Sequence, residues 1–249
     1  MYDHQIDPGG DTVVSLRLSV TPFAKWKPRP GGEEGEEFES ATTRREYRKG
    51  KKGKLDPLAI EWPEPDPDPD RIIQFQVSSR HLALASPMLK AMLCTAGAWS
   101  EAQKDEDGLY QISAKDWDET AFSIVLHVLH CQYSKVPEDV DLETLTKIAV
   151  IVDYHQLHEA MVLVSRTWLG TFKKAKLPTE LNRELCLWLT VASVFREAGI
   201  FKSLTRIAIL NAWKDMDFPE DLPIPPGVIS EYLPSYMTMF FSWVGIDYC

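Results

Sequence analysis

His155-Gln156-Leu157-His158-Glu159 puts two histidines and a carboxylate within five residues, a set of groups that can hold zinc. Zinc hydrolases space such groups as HExxH or HxxEH, with two ligands one helical turn apart on the same face. HQLHE has neither spacing and no third ligand nearby in the chain, so a polar junction between helices is expected there. His127, His130 and Cys131 form a second group, on or beside an apolar helix face. Packing, with the ring nitrogens satisfied, is the expectation for them.

Other catalytic signatures are missing. There is no GxSxG elbow, no GxGxxG loop and no Walker glycine-lysine loop. Cys94, Cys131, Cys186 and Cys249 stand far apart, without a CxxC pair or a basic neighbour in sequence to activate a thiolate. That usage fits a reducing, intracellular compartment, cytoplasm or nucleus. The paired carboxylates lie in solvated acidic runs. The expectation is therefore no enzymatic activity, no cofactor and no metal.

With 27 basic and 37 acidic residues the formal charge is −10, which argues against a nucleic-acid-binding surface built on clustered cations. One run departs from this balance. Arg44, Arg45, Arg48, Lys49, Lys51, Lys52 and Lys54 (RREYRKGKKGK) fit either a nuclear import signal or a solvated tether. The start of the chain is polar and acidic, unlike a signal peptide. Met237–Ile246 is apolar but only half the ~20 residues a membrane-spanning helix needs, so no membrane association is expected.

The elements that would position any site follow from periodicity. Gly9-Gly10-Asp11 marks a turn, and Thr12–Val20 alternates, with Val14, Leu16 and Leu18 on one side and Val13, Ser15 and Arg17 on the other. This predicts a strand with one buried face. Residues 22–70 hold eight of the 17 prolines and blocks of like charge: acidic Glu33–Glu39, the basic run, then Glu64–Asp70 (EPDPDPD). With too few aliphatic residues to offset the entropy of ordering, a disordered insertion is expected. Its Asp-Pro alternation holds carboxylates apart on an extended backbone, so no calcium site is expected. Arg71–Val77 alternates again and is expected to pair with the first strand, which makes the insertion an expanded hairpin tip.

Phe75–Glu101 is the stretch around which the rest is arranged. Ser79 is expected to cap one helical turn and Ser86-Pro87 a second, with Met88, Met92, Leu89 and Leu93 paired at i,i+4 on one face. Leu109–Ser113 reads as a short strand. Asp116 or Asp118 should cap a mostly buried helix carrying Phe122, Val125, Leu126 and Leu129. A helix from Asp141 to about Tyr154 and another over Leu157–Trp168 follow, the latter closed by Gly170 in a left-handed cap. Pro178-Thr179 should open a helix that Gly199 closes, and Phe201–Trp213 a last one, the two forming a hairpin. FPEDLPIPPG then stops the pattern, and Ser230–Cys249 is aromatic without a clear period.

The order strand, strand, helix hairpin, short strand, three helices resembles the BTB/POZ domain. Phe75-Gln76-Val77 is similar to that family's second strand, Leu82 to Ser86-Pro87 to its following turn, and Trp99-Ser100-Glu101 to the acidic exit from its first helix pair. Ile112, Asp116, Ala121, Phe122, Leu126 and Leu129 are similar to the next strand and helix, and Ala149, Asp153 and Tyr154 to the helix after it. The resemblance covers about Asp11–Arg166 apart from the insertion. SSRHLALASP, the charged insertion and Leu187–Phe201 resemble a subgroup common in filamentous fungi.

The resemblance implies an α+β class with a small β-sheet flanked by a helical cluster, followed by a C-terminal helical extension. It places a BTB/POZ-like domain at 8–170 with the insertion 22–70 inside it, the extension at 171–216, and a proline-rich, irregular tail at 217–249. It implies a non-enzymatic protein–protein interaction module: a substrate adaptor of a cullin-based ubiquitin ligase that presents Trp99, Ser100 and Glu101, or a nuclear transcription-associated scaffold. Three departures matter. Only ten residues precede Asp11, so the N-terminal helix that dimerises many members has no counterpart, which leaves self-association possible but not strong. Ser78 and Ser79 replace the usual His and Lys, and His130 stands where a tyrosine is usual.

Overall fold

A computed structural model describes residues 2–19, 21–26, 71–94, 100–172, 176–211, 218–225 and 228. By contact, the chain divides into Met1–Lys27 with Asp68–Cys249, and Pro28–Pro67. The second unit, and with it most of the expected insertion, lies outside the described residues.

The architecture is α+β, a small mixed sheet with seven helices among the described residues. Strands β1 (His4–Gln5), β2 (Thr12–Arg17), β3 (Ile72–Val77) and β4 (Tyr110–Lys115) lie in the order β1-β3-β2-β4. β2 and β3 pair antiparallel, as alternation on both sides of the insertion predicts, with Val14 opposite Phe75 and Leu16 opposite Ile73. β4 runs parallel to β2, placing Ile112 beside Val14. Val14, Leu16, Ile73, Phe75 and Ile112 therefore share one face, and all five are buried. Val13 on the opposite face is buried as well. As a central strand, β2 has neighbours on both sides, Gln76 and Gln111 beside Val13. Gly10 precedes β2 where a Cβ would stand 2.3 Å from the Val77 carbonyl oxygen, so only glycine lets the chain pass the end of β3.

Helices α1 (Ser79–Ala85) and α2 (Pro87–Cys94) form the expected hairpin. The Ser86 hydroxyl accepts from the Leu89 N–H at 3.0 Å, capping α2, and donates to the His155 carbonyl at 2.6 Å. One short side chain so starts one helix and ties it to another. The first cap differs from expectation. Ser78 precedes α1 without a side-chain cap bond, and Ser79 is itself held, its N–H and its hydroxyl each 2.8 Å from the Asp11 carboxylate. A residue 68 positions away supplies the acceptor, which no local pattern encodes. Partial burial pushes the Asp11 carboxyl up, but these hydrogen bonds outweigh it and hold the group below its ordinary value.

α3 (Glu119–Leu129) and α4 (Leu142–Tyr154) begin at Asp118 and Asp141, whose carboxylates accept from Ala121 and Thr144. α5 (His158–Phe172), α6 (Arg183–Val194) and α7 (Ala198–Asn211) complete the set. Asn182, not Pro178-Thr179, caps α6. Gly170 lies inside α5 and Gly199 inside α7, without the positive φ of a left-handed cap.

α3, α4 and α6 stop at Cys131 (φ 56), Gln156 (φ 54) and Arg196 (φ 59), each the second residue past the helix. In each case two backbone bonds close the end: Gln132 to His127 and Cys131 to Val128; Leu157 to Val152 and Gln156 to Asp153; Glu197 to Ala192 and Arg196 to Ser193. This is the paired Schellman arrangement, built three times without the glycine that normally occupies the left-handed position. A side chain there costs about 1 kcal/mol. Replacing Arg196 or Gln156 by glycine should therefore raise the unfolding free energy by up to about 1 kcal/mol in urea titrations. Lower stability in both variants would mean that the side chains hold these turns.

The core is continuous from sheet to helices. Phe218, Leu222, Ile224 and Val228, in the stretch expected to be an irregular stop, are buried in it. The Asp221 carboxylate accepts from the Ala24 N–H at 2.6 Å. Arg183 donates to the Ala24 and Phe23 carbonyls at 3.1 Å each and to Glu143 at 2.9 Å. Residues 23–24 are thus joined to the 218–225 segment, to α6 and to the first turn of α4.

Candidate functional site

The described residues line a half-open, apolar cavity of about 560 Å³, within the range that takes ligands or anchoring side chains. Val14 and Ile112 of the sheet and Phe122 of α3 form its base. Met88 and Met92 of α2 form one wall, and they are the unbranched, adaptable side chains that suit a surface accommodating more than one shape. Trp117 and Tyr154 form another, their rings edge to face at 5.2 Å. Arg17 and Lys115, neighbours in register on β2 and β4 and both exposed, stand at its margin.

His155 also faces this cavity, at the end of α4. Both its ring nitrogens are buried without a hydrogen-bond partner, and burial pushes its pKa down to about 4. Its ring lies 4.9 Å from that of Tyr154 and 6.0 Å from that of Trp117. His158 is turned toward Asp153 at 3.6 Å instead. The HQLHE stretch is a helix junction, as its spacing predicts, and the two imidazoles do not converge. Among the described residues no three His, Cys, Asp or Glu side chains are grouped to hold a metal ion.

His130 is packed with both ring nitrogens bonded, and His127 with its Nδ1 bonded. His130 Nδ1 donates to the Leu126 carbonyl at 2.8 Å and its Nε2 accepts from the Ser78 N–H at 3.0 Å. That pair of bonds requires the neutral ring with its proton on Nδ1. Desolvation, with help from His81, whose ring lies tilted at 4.8 Å, holds His130 below its ordinary pKa. His127 bonds to Gln132 at 2.9 Å, which donates to the Ile6 carbonyl at 2.6 Å, so this cluster fastens the N-terminal strand to α3. Burial also lowers the His127 pKa.

Burial pushes Cys186 up to about 12, leaving it protonated at neutral pH, and Cys94 and Cys131 are free and exposed. Lys147 is a half-buried cation with a structural role. Burial alone would lower its pKa, but Asp118 at 3.0 Å and Glu143 at 3.2 Å raise it, and it sits 5.6 Å from the centre of the Phe23 ring.

Of the expected partner-binding set, Ser100 and Glu101 lie in a short 3-10 turn, Ser100–Ala102, packed near α2 and β4, with Glu101 partly exposed. Trp99 lies outside the described residues, as do Arg44, Arg45, Arg48, Lys49, Lys51, Lys52 and Lys54. Sequence reasoning missed the cavity wall of Trp117 and Tyr154. The only local signal is two large aromatics beside helix termini, and their meeting depends on α3 and α4 packing together. No helix among the described residues is long and apolar enough to cross a membrane. No protein-family model matches the chain, and no curated protein matches it.

Proposed function

We propose that this chain is a non-enzymatic protein–protein interaction module of the BTB/POZ type. The observation that carries the reading is the order of its elements in space. An antiparallel β2–β3 pair leads into the α1–α2 hairpin, which returns through the Ser100–Ala102 turn to β4, parallel to β2, and on to α3 and α4. The order strand, strand, helix hairpin, short strand, helices along the chain is the order on which the sequence resemblance rests. An open apolar concavity beside that hairpin, lined by methionine and aromatic side chains, fits protein recognition.

The sharper form of the proposal is a substrate adaptor for a cullin, with Glu101 as the acidic contact. Full-length chain should then co-purify with a cullin. Glu101→Lys, a charge reversal on a partly exposed turn, should reduce cullin recovery about tenfold or more, with the unfolding midpoint measured alongside to separate lost binding from lost fold. Absence of cullin from both preparations would remove the adaptor reading and leave the general interaction module to be tested by identifying what does co-purify.

A further inference from the structure

The α1–α2 hairpin is joined to the rest of the fold at three serines. Ser78, just before it, donates its N–H to His130 Nε2 at 3.0 Å, and Ser79 donates twice to the Asp11 carboxylate. Ser86, between the two helices, donates its hydroxyl to the His155 carbonyl at 2.6 Å. Leu82, Leu89 and Leu93 are the buried hydrophobic residues of the hairpin, and an element held by so few buried side chains opens more easily than a core strand. Two of the three joints involve a histidine that the closed fold keeps neutral. His130 accepts from Ser78 only while Nε2 lacks a proton, because Nδ1 already donates to the Leu126 carbonyl. Both ring nitrogens of His155 are buried without a partner, so a proton there would be a charge with neither water nor a hydrogen bond.

We propose that the α1–α2 hairpin is an acid-released element: protonation of His130 and His155 frees it at Ser78 and Ser86, and it swings out about its Ser79–Asp11 tether while the sheet and the other helices stay folded. The charges around each ring favour this. His81 faces His130 from α1 with ring centres 4.8 Å apart and its Nδ1 buried unpaired, so protons on the two rings repel. Asp7, in the segment after β1, acts the other way on His130, but burial outweighs it. His127 stands one turn back on α3 and adds a third imidazole to the group. Arg17, Lys115 and Asp116 line the cavity that His155 faces, while Asp153, on its own helix, is turned to His158. Hydrating the His155 ring uncovers the side of the cavity that Ser86 and α2 close.

The neighbouring joints tolerate the same proton. Asp11, pushed up by burial but lowered overall by its bonds to Ser79, is still a carboxylate in mild acid, which makes that tether the hinge. His4 lies 2.7 Å from Glu119, and a proton on its ring strengthens the pair. Gln132 donates to the Ile6 carbonyl and so turns its amide oxygen to His127 Nδ1, which is therefore the donor and keeps its bond when the other ring nitrogen is protonated. β1 stays fastened to α3 under conditions that loosen the hairpin. Met88 and Met92 line the cavity, so release removes one of its walls, whatever the cavity binds.

Amide hydrogen exchange on the full chain, corrected at each pH for the intrinsic rate, tests this. Cut loose, helices of seven and eight residues are too short to hold themselves, so the amides of Leu82, Ser86 and Lys90, bonded within the hairpin, report its release. Their protection should fall about tenfold or more between about pH 7 and about pH 5, the size produced by a ring held near 4 when closed and at its ordinary 6.5 when open. At about pH 5 it should also lie about tenfold or more below the protection of β2 amides in the same sample. His155→Phe with His130→Gln, which offers Ser78 an acceptor that does not titrate, should remove most of the fall. His155→Phe alone should reduce it severalfold and serves if the pair does not fold. Equal hairpin protection at both pH values overturns the proposal, as does a fall that the variants leave unaltered. Hairpin protection equal to that of β2 at about pH 5 also overturns it, by making the acid step global unfolding.

Discussion

Trp168→Ala should lower the unfolding free energy by about 3–5 kcal/mol, the upper range for loss of a large core side chain. Trp168 is fully buried, and its indole N–H donates to the Pro137 carbonyl at 2.9 Å. The residue thus fixes the middle of α5 against the connection between α3 and α4, while the ring fills volume that no neighbouring backbone can collapse into. Trp168→Phe separates the two contributions. It keeps most of the apolar area and leaves the Pro137 carbonyl without its donor, so a loss of about 1–3 kcal/mol is expected. Urea unfolding read by circular dichroism measures both. A loss under about 1 kcal/mol for the alanine variant would show that α5 is not part of the cooperative core.

The second large effect is the response to mild acid. The His155 pKa falls from 6.5 to about 4 on folding because burial disfavours its charged form. Between those values the unfolded chain takes up a proton that the folded chain refuses. Stability is therefore level above about pH 6.5 and declines as pH falls toward about 4, by roughly 3 kcal/mol from this residue alone. His130 and His127, also lowered by burial, act in the same direction. Asp11, lowered overall by its bonds to Ser79, loses its contribution only as pH falls below the ordinary carboxylate value. His155→Phe should flatten the slope between pH 6.5 and 4. At pH 7 it should gain about 1 kcal/mol, since an unpaired buried donor and acceptor are replaced by an apolar ring beside Trp117 and Tyr154. An unchanged slope in that variant would place the acid sensitivity elsewhere.

What could be read from the sequence was whatever is encoded within a few residues. Alternation in Thr12–Arg17 and Ile72–Val77 gave the central strand pair, and Ser86-Pro87, Asp118 as one of two candidates, and Asp141 gave three helix starts. β1 could not be read, because two residues have no period. The stops at Cys131, Gln156 and Arg196 were hidden for want of glycine, and glycines at 170 and 199 misled for the same reason. Phe218, Leu222 and Ile224 are separated by prolines and acids, so only tertiary contact reveals them as core. The cavity joins β2, β3, β4, α1, α2, α3 and α4, and its shape depends on all seven.

The three glycine-free helix ends have a consequence for engineering. Their hydrogen bonds draw on separate residues, with no donor or acceptor in common, so substitutions at the three positions should act independently and their effects should sum. A chain carrying glycine at all three would gain thermal margin without replacing any side chain of the cavity lining or of the Glu101 turn. That makes it a suitable background for the destabilising substitutions tested on those surfaces, because lost binding there could be separated from lost fold.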